Sequence, residues 1–94
     1  MVECGEVMTM FVIVWEWNAW RDLERLSSEA QARLDDAIVA LALNPTPAGV
    51  RAVRGRERSL RIRVGSYRVI YQVDYVGETI TIRGVGHRST VYDQ

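Results

Sequence analysis

The stretch Leu60-Arg61-Ile62-Arg63-Val64-Gly65-Ser66-Tyr67-Arg68-Val69-Ile70-Tyr71-Gln72-Val73 consists of two strand-like runs around a two-residue turn. Gly65-Ser66 is a hairpin connection in which the glycine supplies the positive φ such turns require. Tight pairing sets Val64 opposite Tyr67, Arg63 opposite Arg68, Ile62 opposite Val69 and Leu60 opposite Tyr71. Because strand side chains alternate between faces, one face reads Leu60, Ile62, Val64, Tyr67, Val69 and Tyr71. The other carries Arg61, Arg63 and Arg68. Like charges directly opposite one another destabilise a sheet by roughly 0.2–1 kcal/mol. A face needing only solvation would mix its signs. This one points to an anion.

The wider charge distribution agrees. Net charge is zero, yet residues 1–50 hold three arginines against eight acids, and residues 51–94 hold nine against four. The halves therefore carry −5 and +5, an asymmetry expected of a chain with a polyanion-facing surface. Seven arginines fall between positions 51 and 68, with Glu57 the one acid among them. All twelve basic residues are arginine, whose planar guanidinium suits phosphate and stacks on bases.

The 94 residues allow one domain, 1–94, with 1–8 a disordered lead-in, since Met8 and Met10 are alternative starts. Composition is that of a soluble globular protein. No apolar run reaches the roughly 20 residues of a membrane span, and Met8 to Trp15 is too short and strand-like for a signal peptide. A cytoplasmic location is expected. Cys4 is the one cysteine, so no internal disulfide forms. With one histidine and scattered carboxylates, no metal-ligand spacing is present and no cofactor is expected.

Along the chain, Thr9 to Trp15 reads as a buried first strand. Asn18 caps a short helix from Ala19 to Leu26, and Ser28 with Gln31 forms the capping box of a second helix reaching Leu43. Trp15, Trp17 and Trp20 read as core and helix-packing residues. Asn44-Pro45-Thr46-Pro47 stops the second helix. A loop from Ala48 to Ser59 precedes the hairpin, and a four-residue turn, Asp74 to Gly77, leads to a last strand from Glu78 to Val85. Pairing Val73 with Glu78 puts Ile80 and Ile82 on the core face and Arg83 among the arginines. The order β-α-α-β-β-β predicts an α+β fold: two helices packed on one face of an antiparallel-rich four-stranded sheet.

The chain resembles the RelE/ParE toxin superfamily of prokaryotic toxin–antitoxin systems. The resemblance rests on Val53-Arg54-Gly55, Leu60-Arg61-Ile62-Arg63, Gly65-Ser66-Tyr67-Arg68-Val69-Ile70-Tyr71-Gln72-Val73, and Val85-Gly86-His87-Arg88 closing on Val91-Tyr92. It is similar to the RelE branch, metal-independent endoribonucleases that cut mRNA on the ribosome and inhibit translation. The resemblance implies catalytic roles for Arg61, Arg63, Arg68 and Tyr92, and for a late basic position that falls on Arg88 or its neighbour His87. Arg51, Arg54, Arg56, Arg58 and Arg83, outside those matched positions, are read as binding the RNA backbone. The resemblance also implies a cognate antitoxin as partner, contact with ribosome and mRNA, operator DNA only through the antitoxin, and no membrane. The ParE branch, which poisons gyrase without cutting RNA, shares the fold, and an inactive antitoxin-binding module is a third reading.

Attack of a 2′-OH on the adjacent phosphate needs a base, cations around the phosphorane, and an acid for the leaving 5′-oxygen. Arginines supply the charge, often the largest catalytic contribution. Arginine stands at positions 61 and 63, where the family commonly has lysine, and arginine does not release its proton near neutrality. His87 is the one side chain whose ordinary pKa lies near neutral, hence the natural acid or base. Tyr92 acts as a base only if its pKa is depressed, and otherwise stacks on a nucleobase.

Overall fold

The computed structural model describes residues 10–53, 55 and 58–87. Strand β1 (Val12–Trp15) leads into helix α1 (Trp17–Glu24) and helix α2 (Ser28–Leu43). Strands β2 (Arg51–Ala52), β3 (Ser59–Val64), β4 (Tyr67–Asp74) and β5 (Thr79–His87) complete one sheet of order β1-β5-β4-β3-β2. The α+β architecture is the expected one. There are five strands rather than four, because Arg51 and Ala52, read from sequence as loop, pair with Arg61 and Leu60. β1 runs parallel to β5 and every other pairing is antiparallel.

Local chemistry sets the helix starts, with differences from the sequence reading. α2 is capped by Ser27, one residue earlier than expected: its side-chain oxygen accepts from the Ala30 N–H at 3.1 Å. Gln31 does not close a capping box; its Nε2 donates to the Leu26 carbonyl at 3.0 Å. α1 begins at Trp17, preceded by Glu16 without a side-chain cap. Trp17 lies largely in solvent, correcting its assignment to the core, whereas Trp20 stands edge-on to Trp15 at 5.5 Å.

Both helices lie on one face. Ala19 and Leu23 of α1 and Leu34, Ile38 and Leu41 of α2 pack on Ile62, Val69, Tyr71, Ile80, Ile82 and Val85. These residues are almost wholly buried, and area removed from water is the main favourable contribution to such a fold. Tyr71 is completely buried, and its hydroxyl donates to the Pro45 carbonyl at 2.6 Å, pinning the segment after α2 onto the sheet. Burial, with Tyr75 nearby, pushes the Tyr71 phenol up to about 12.

Candidate functional site

The β3–β4 hairpin has the register its sequence dictates: Val64↔Tyr67, Arg63↔Arg68, Ile62↔Val69 and Leu60↔Tyr71. Gly65 takes φ 62 at the turn, where a side chain with a Cβ would be strained. The alternation therefore sends Arg61, Arg63 and Arg68 to the face opposite the helices. β2 adds to it, because Arg51 is paired directly with Arg61. Two like-charged pairs, Arg51/Arg61 and Arg63/Arg68, thus sit side by side on one face. Arg51 and Arg63 are exposed, while Arg61 and Arg68 are half-buried. Each pair opposes folding by a few tenths to about 1 kcal/mol.

The β4–β5 ladder differs from the sequence-derived register by two residues: Val73 meets Ile80 rather than Glu78, and the turn spans Tyr75 to Glu78. A shift of two preserves the faces, so Ile80 and Ile82 remain in the core. The Gly77 N–H donates to Asp74 Oδ1 at 3.0 Å and holds the turn. Between Ile70↔Gly84 and Tyr71↔Ile82 the ladder slips by one residue, leaving Arg83 as the extra residue of a β-bulge. Arg83 is engaged by Glu16, with Nε 3.3 Å from Oε2 in a partly exposed ion pair. Beyond the bulge, Gly84 and Gly86 lie opposite Ile70 and Arg68, so β5 places no side chain beside the arginines there.

The bulge also decides where His87 goes. It brings Val85 opposite Val69 and His87 opposite Tyr67, the latter two with rings edge-on at 5.9 Å. His87 is exposed, but it belongs to the helix side of the sheet at its end, not to the arginine face. The geometry thus gathers Arg51, Arg61, Arg63 and Arg68, with Arg83 at the border, and leaves His87 across the sheet. Arg58 is exposed in the segment before β3, with φ 63. Arg54, Arg56, Arg88 and Tyr92 lie outside the described residues.

The sequence reading passed over the row beside the arginines because none of its members is charged. Ser59 pairs with Gln72, and Gln72 with Thr81, across three strands on the arginine face. A cleft of about 690 Å³ opens over this row, lined also by Arg58 and Tyr75. Another, of about 560 Å³, lies between α2 and β3 and is lined by Ala37, Leu41, Pro47 and Ile62 with Arg51 and Arg61 at its rim. Among the described residues, no three of His, Cys, Asp and Glu come together as a metal-binding group. No helix there is long and apolar enough to cross a membrane.

Helices on one side of a five-stranded sheet and paired arginines on the other define a small α+β protein that presents concentrated positive charge on an open sheet face. The solved toxin–antitoxin complex RelBE2 of Mycobacterium tuberculosis shares this fold, with a TM-score of 0.72 and 28% identity over 84% of this chain and 99% of that one. The archaeal RelE–RelB complex of Pyrococcus horikoshii shares it at a TM-score of 0.74 and 23% identity, covering 87% and 99% of the two chains. Toxin RelE3 of Methanocaldococcus jannaschii is 38% identical over 52 residues, 55% of this chain. That match spans 57% of the length of this curated relative. Residues 13–92 match the family described as ParE toxin of type II toxin–antitoxin system, parDE, and the chain belongs to that family, within the RelE/ParE toxin superfamily. It is a type II toxin–antitoxin toxin.

Proposed function

We propose that this toxin is a ribosome-dependent endoribonuclease that cleaves mRNA and so inhibits translation. The observation that carries the reading is the pair of arginine rows, Arg51/Arg61 and Arg63/Arg68, set directly opposite one another where their repulsion opposes folding. Such an arrangement is compensated when an anion binds. Arginines converging on one phosphate stabilise the charge that grows on its equatorial oxygens during in-line attack by the 2′-OH. Guanidinium groups act there through charge and hydrogen bonding. Arg88 and Tyr92 are proposed to complete the site from the C-terminal segment. His87, standing on the Tyr67 side, has the weaker geometric claim to a proton-transfer role.

The partner proposed is a cognate antitoxin whose acidic or amphipathic segment covers the basic face, in keeping with the relatives solved as toxin–antitoxin complexes. Primer extension on mRNA translated in vitro, with and without the protein, tests the reading: new 5′ ends that require ribosomes are expected. The ParE description of the matched family favours a second reading, inhibition of gyrase without RNA cleavage. Loss of supercoiling activity with intact mRNA would select it.

A further inference from the structure

The two edges of the sheet are finished differently. At one edge β2 is two residues long and carries Arg51, a short charged strand of the kind that discourages further pairing. At the other edge β1 has neither a charged residue nor a proline, and three of its four residues are β-branched. Its pairing with β5 runs regularly from Val12↔Thr79 to Trp15↔Ile82, so no bulge in β1 turns it aside. An unprotected edge of this kind is a template for another strand.

The hydrogen bonds define which groups that edge offers. The Val12 N–H donates to the Glu78 carbonyl at 2.8 Å, and the Glu16 N–H to the Ile82 carbonyl at 3.0 Å. In a parallel ladder alternate residues turn both N–H and C=O to the same side, so Val12, Val14 and Glu16 face β5. Ile13 and Trp15 turn theirs outward. The Phe11 N–H, on that outer side, is taken by the Ala42 carbonyl at 2.9 Å, so the open edge begins at Ile13. Beside it Val12 is 61% and Val14 44% exposed, and Trp17, just past the strand, is 69% exposed.

We propose that a second copy of this chain occupies this edge, β1 lying antiparallel to β1 about a two-fold axis at Val14. The outward groups of Ile13 and Trp15 are two residues apart, so such an axis sets Ile13 of each copy opposite Trp15 of the other. Each of these pairs exchanges two backbone hydrogen bonds. Val14 meets Val14 in the closer, non-hydrogen-bonded pair, apolar against apolar. Glu16 of each copy stands opposite Val12 of the other, so no like charges are set face to face. The strand is thus complementary to itself, which is what an isologous contact requires. Val12, Val14 and Trp17 from each copy make a contact at the small end of specific interfaces, below about 1,200 Å², so the dimer forms and parts with concentration. It joins two five-stranded sheets edge to edge with both arginine faces on the same side. Five strand spacings of about 4.8 Å then separate the two Arg68 positions by about 24 Å.

The test is the oligomeric state of the purified protein. Sedimentation velocity from micromolar to millimolar concentration is expected to show a shift from monomer to dimer. Val14→Lys, which sets two ammonium groups face to face at the axis, should remain monomeric throughout. Circular dichroism checks its fold, which the exposed position of Val14 should preserve. A cross-link supplies the second measurement. In a Cys4→Ser background, Val14→Cys places two thiols across a non-hydrogen-bonded pair, within disulfide range. Under mild oxidation it should form a covalent dimer faster than Ser66→Cys, which is exposed at the β3–β4 turn on the far side of the sheet. If Val14→Lys does not fold, the comparison of the two cysteine variants decides. A protein that stays monomeric, with Val14→Cys cross-linking no faster than Ser66→Cys, overturns the proposal and leaves the edge to a strand of another protein. A dimer that survives in folded Val14→Lys places the contact elsewhere and overturns it as well.

Discussion

Replacing Arg63 with Gln should make this protein more stable and a poorer RNA binder. Arg63 is exposed and directly opposite Arg68 at the tip of the hairpin, on a face whose next pair is Arg51/Arg61. Removing one member of a like-charged cross-strand pair returns roughly 0.2–1 kcal/mol. For a domain of this size each kcal/mol moves the melting temperature by about 4–8 °C, so Tm should rise by about 1–8 °C. The charges are accessible to ions, and the Debye length shrinks from about 10 Å at 0.1 M salt to about 3 Å at 1 M. Wild type should therefore gain stability between these salt concentrations, and Arg63→Gln should gain less. The same substitution deletes one phosphate contact, so the log–log slope of single-stranded RNA affinity against salt should fall by roughly 0.7. Thermal melts followed by circular dichroism at both salt concentrations, with anisotropy titrations alongside, measure all three. A destabilised variant with unaltered RNA affinity and salt slope would refute the reasoning. It would mean that the pair is not repulsive and the face is not a phosphate site.

Arg68→Ala is expected to lower ribosome-dependent cleavage by about 10²–10³-fold at every pH, because a permanently charged group contributes without titrating. His87→Ala should leave both the rate and its pH profile near those of wild type, given its position beside Tyr67; a profile flattened near neutrality would restore it as the acid or base. Tyr71→Phe removes the hydrogen bond to Pro45 and should cost about 1 kcal/mol in denaturant melts near pH 7. Its folded-state pKa is raised to about 12, so the neutral phenol stabilises the native state fully below about 10, and that contribution fades as pH rises towards 12. The chain has no lysine, so wild type should lose a few kcal/mol more than Tyr71→Phe across this window; parallel stability curves would contradict the assignment. Ser27→Ala, which leaves the Ala30 N–H uncapped, should cost about 1 kcal/mol of stability, read as a lower midpoint at unchanged m-value.

The hairpin and its two faces were legible in the sequence because their causes are local. A Gly-containing two-residue turn fixes register, and alternation then assigns every side chain from Leu60 to Val73 to a face. The second helix was legible for a similar reason, its period and its Pro stop being written in consecutive residues. Where several local solutions competed, the sequence reading drifted by one or two positions. Ser27 and Ser28 are both competent caps, and the turn after Asp74 closes with its own carboxylate two residues out of the expected register.

The remaining features are non-local. Arg51 and Ala52 become a strand only because β3 offers an edge to pair with, which no propensity of a two-residue segment encodes. The parallel pairing of β1 with β5 joins residues near opposite ends of the described chain. The bulge at Arg83 depends on how β5 lies against β4, and that single slipped residue turns His87 towards Tyr67 instead of towards the arginines. The row Ser59–Gln72–Thr81 exists only once three strands are in register. Sequence alone therefore settled the fold class and the concentration of arginines on one hairpin face, since both follow from spacing along the chain. Which residues stand beside those arginines was settled by strand pairing, because contacts between distant segments are fixed only when the whole sheet assembles.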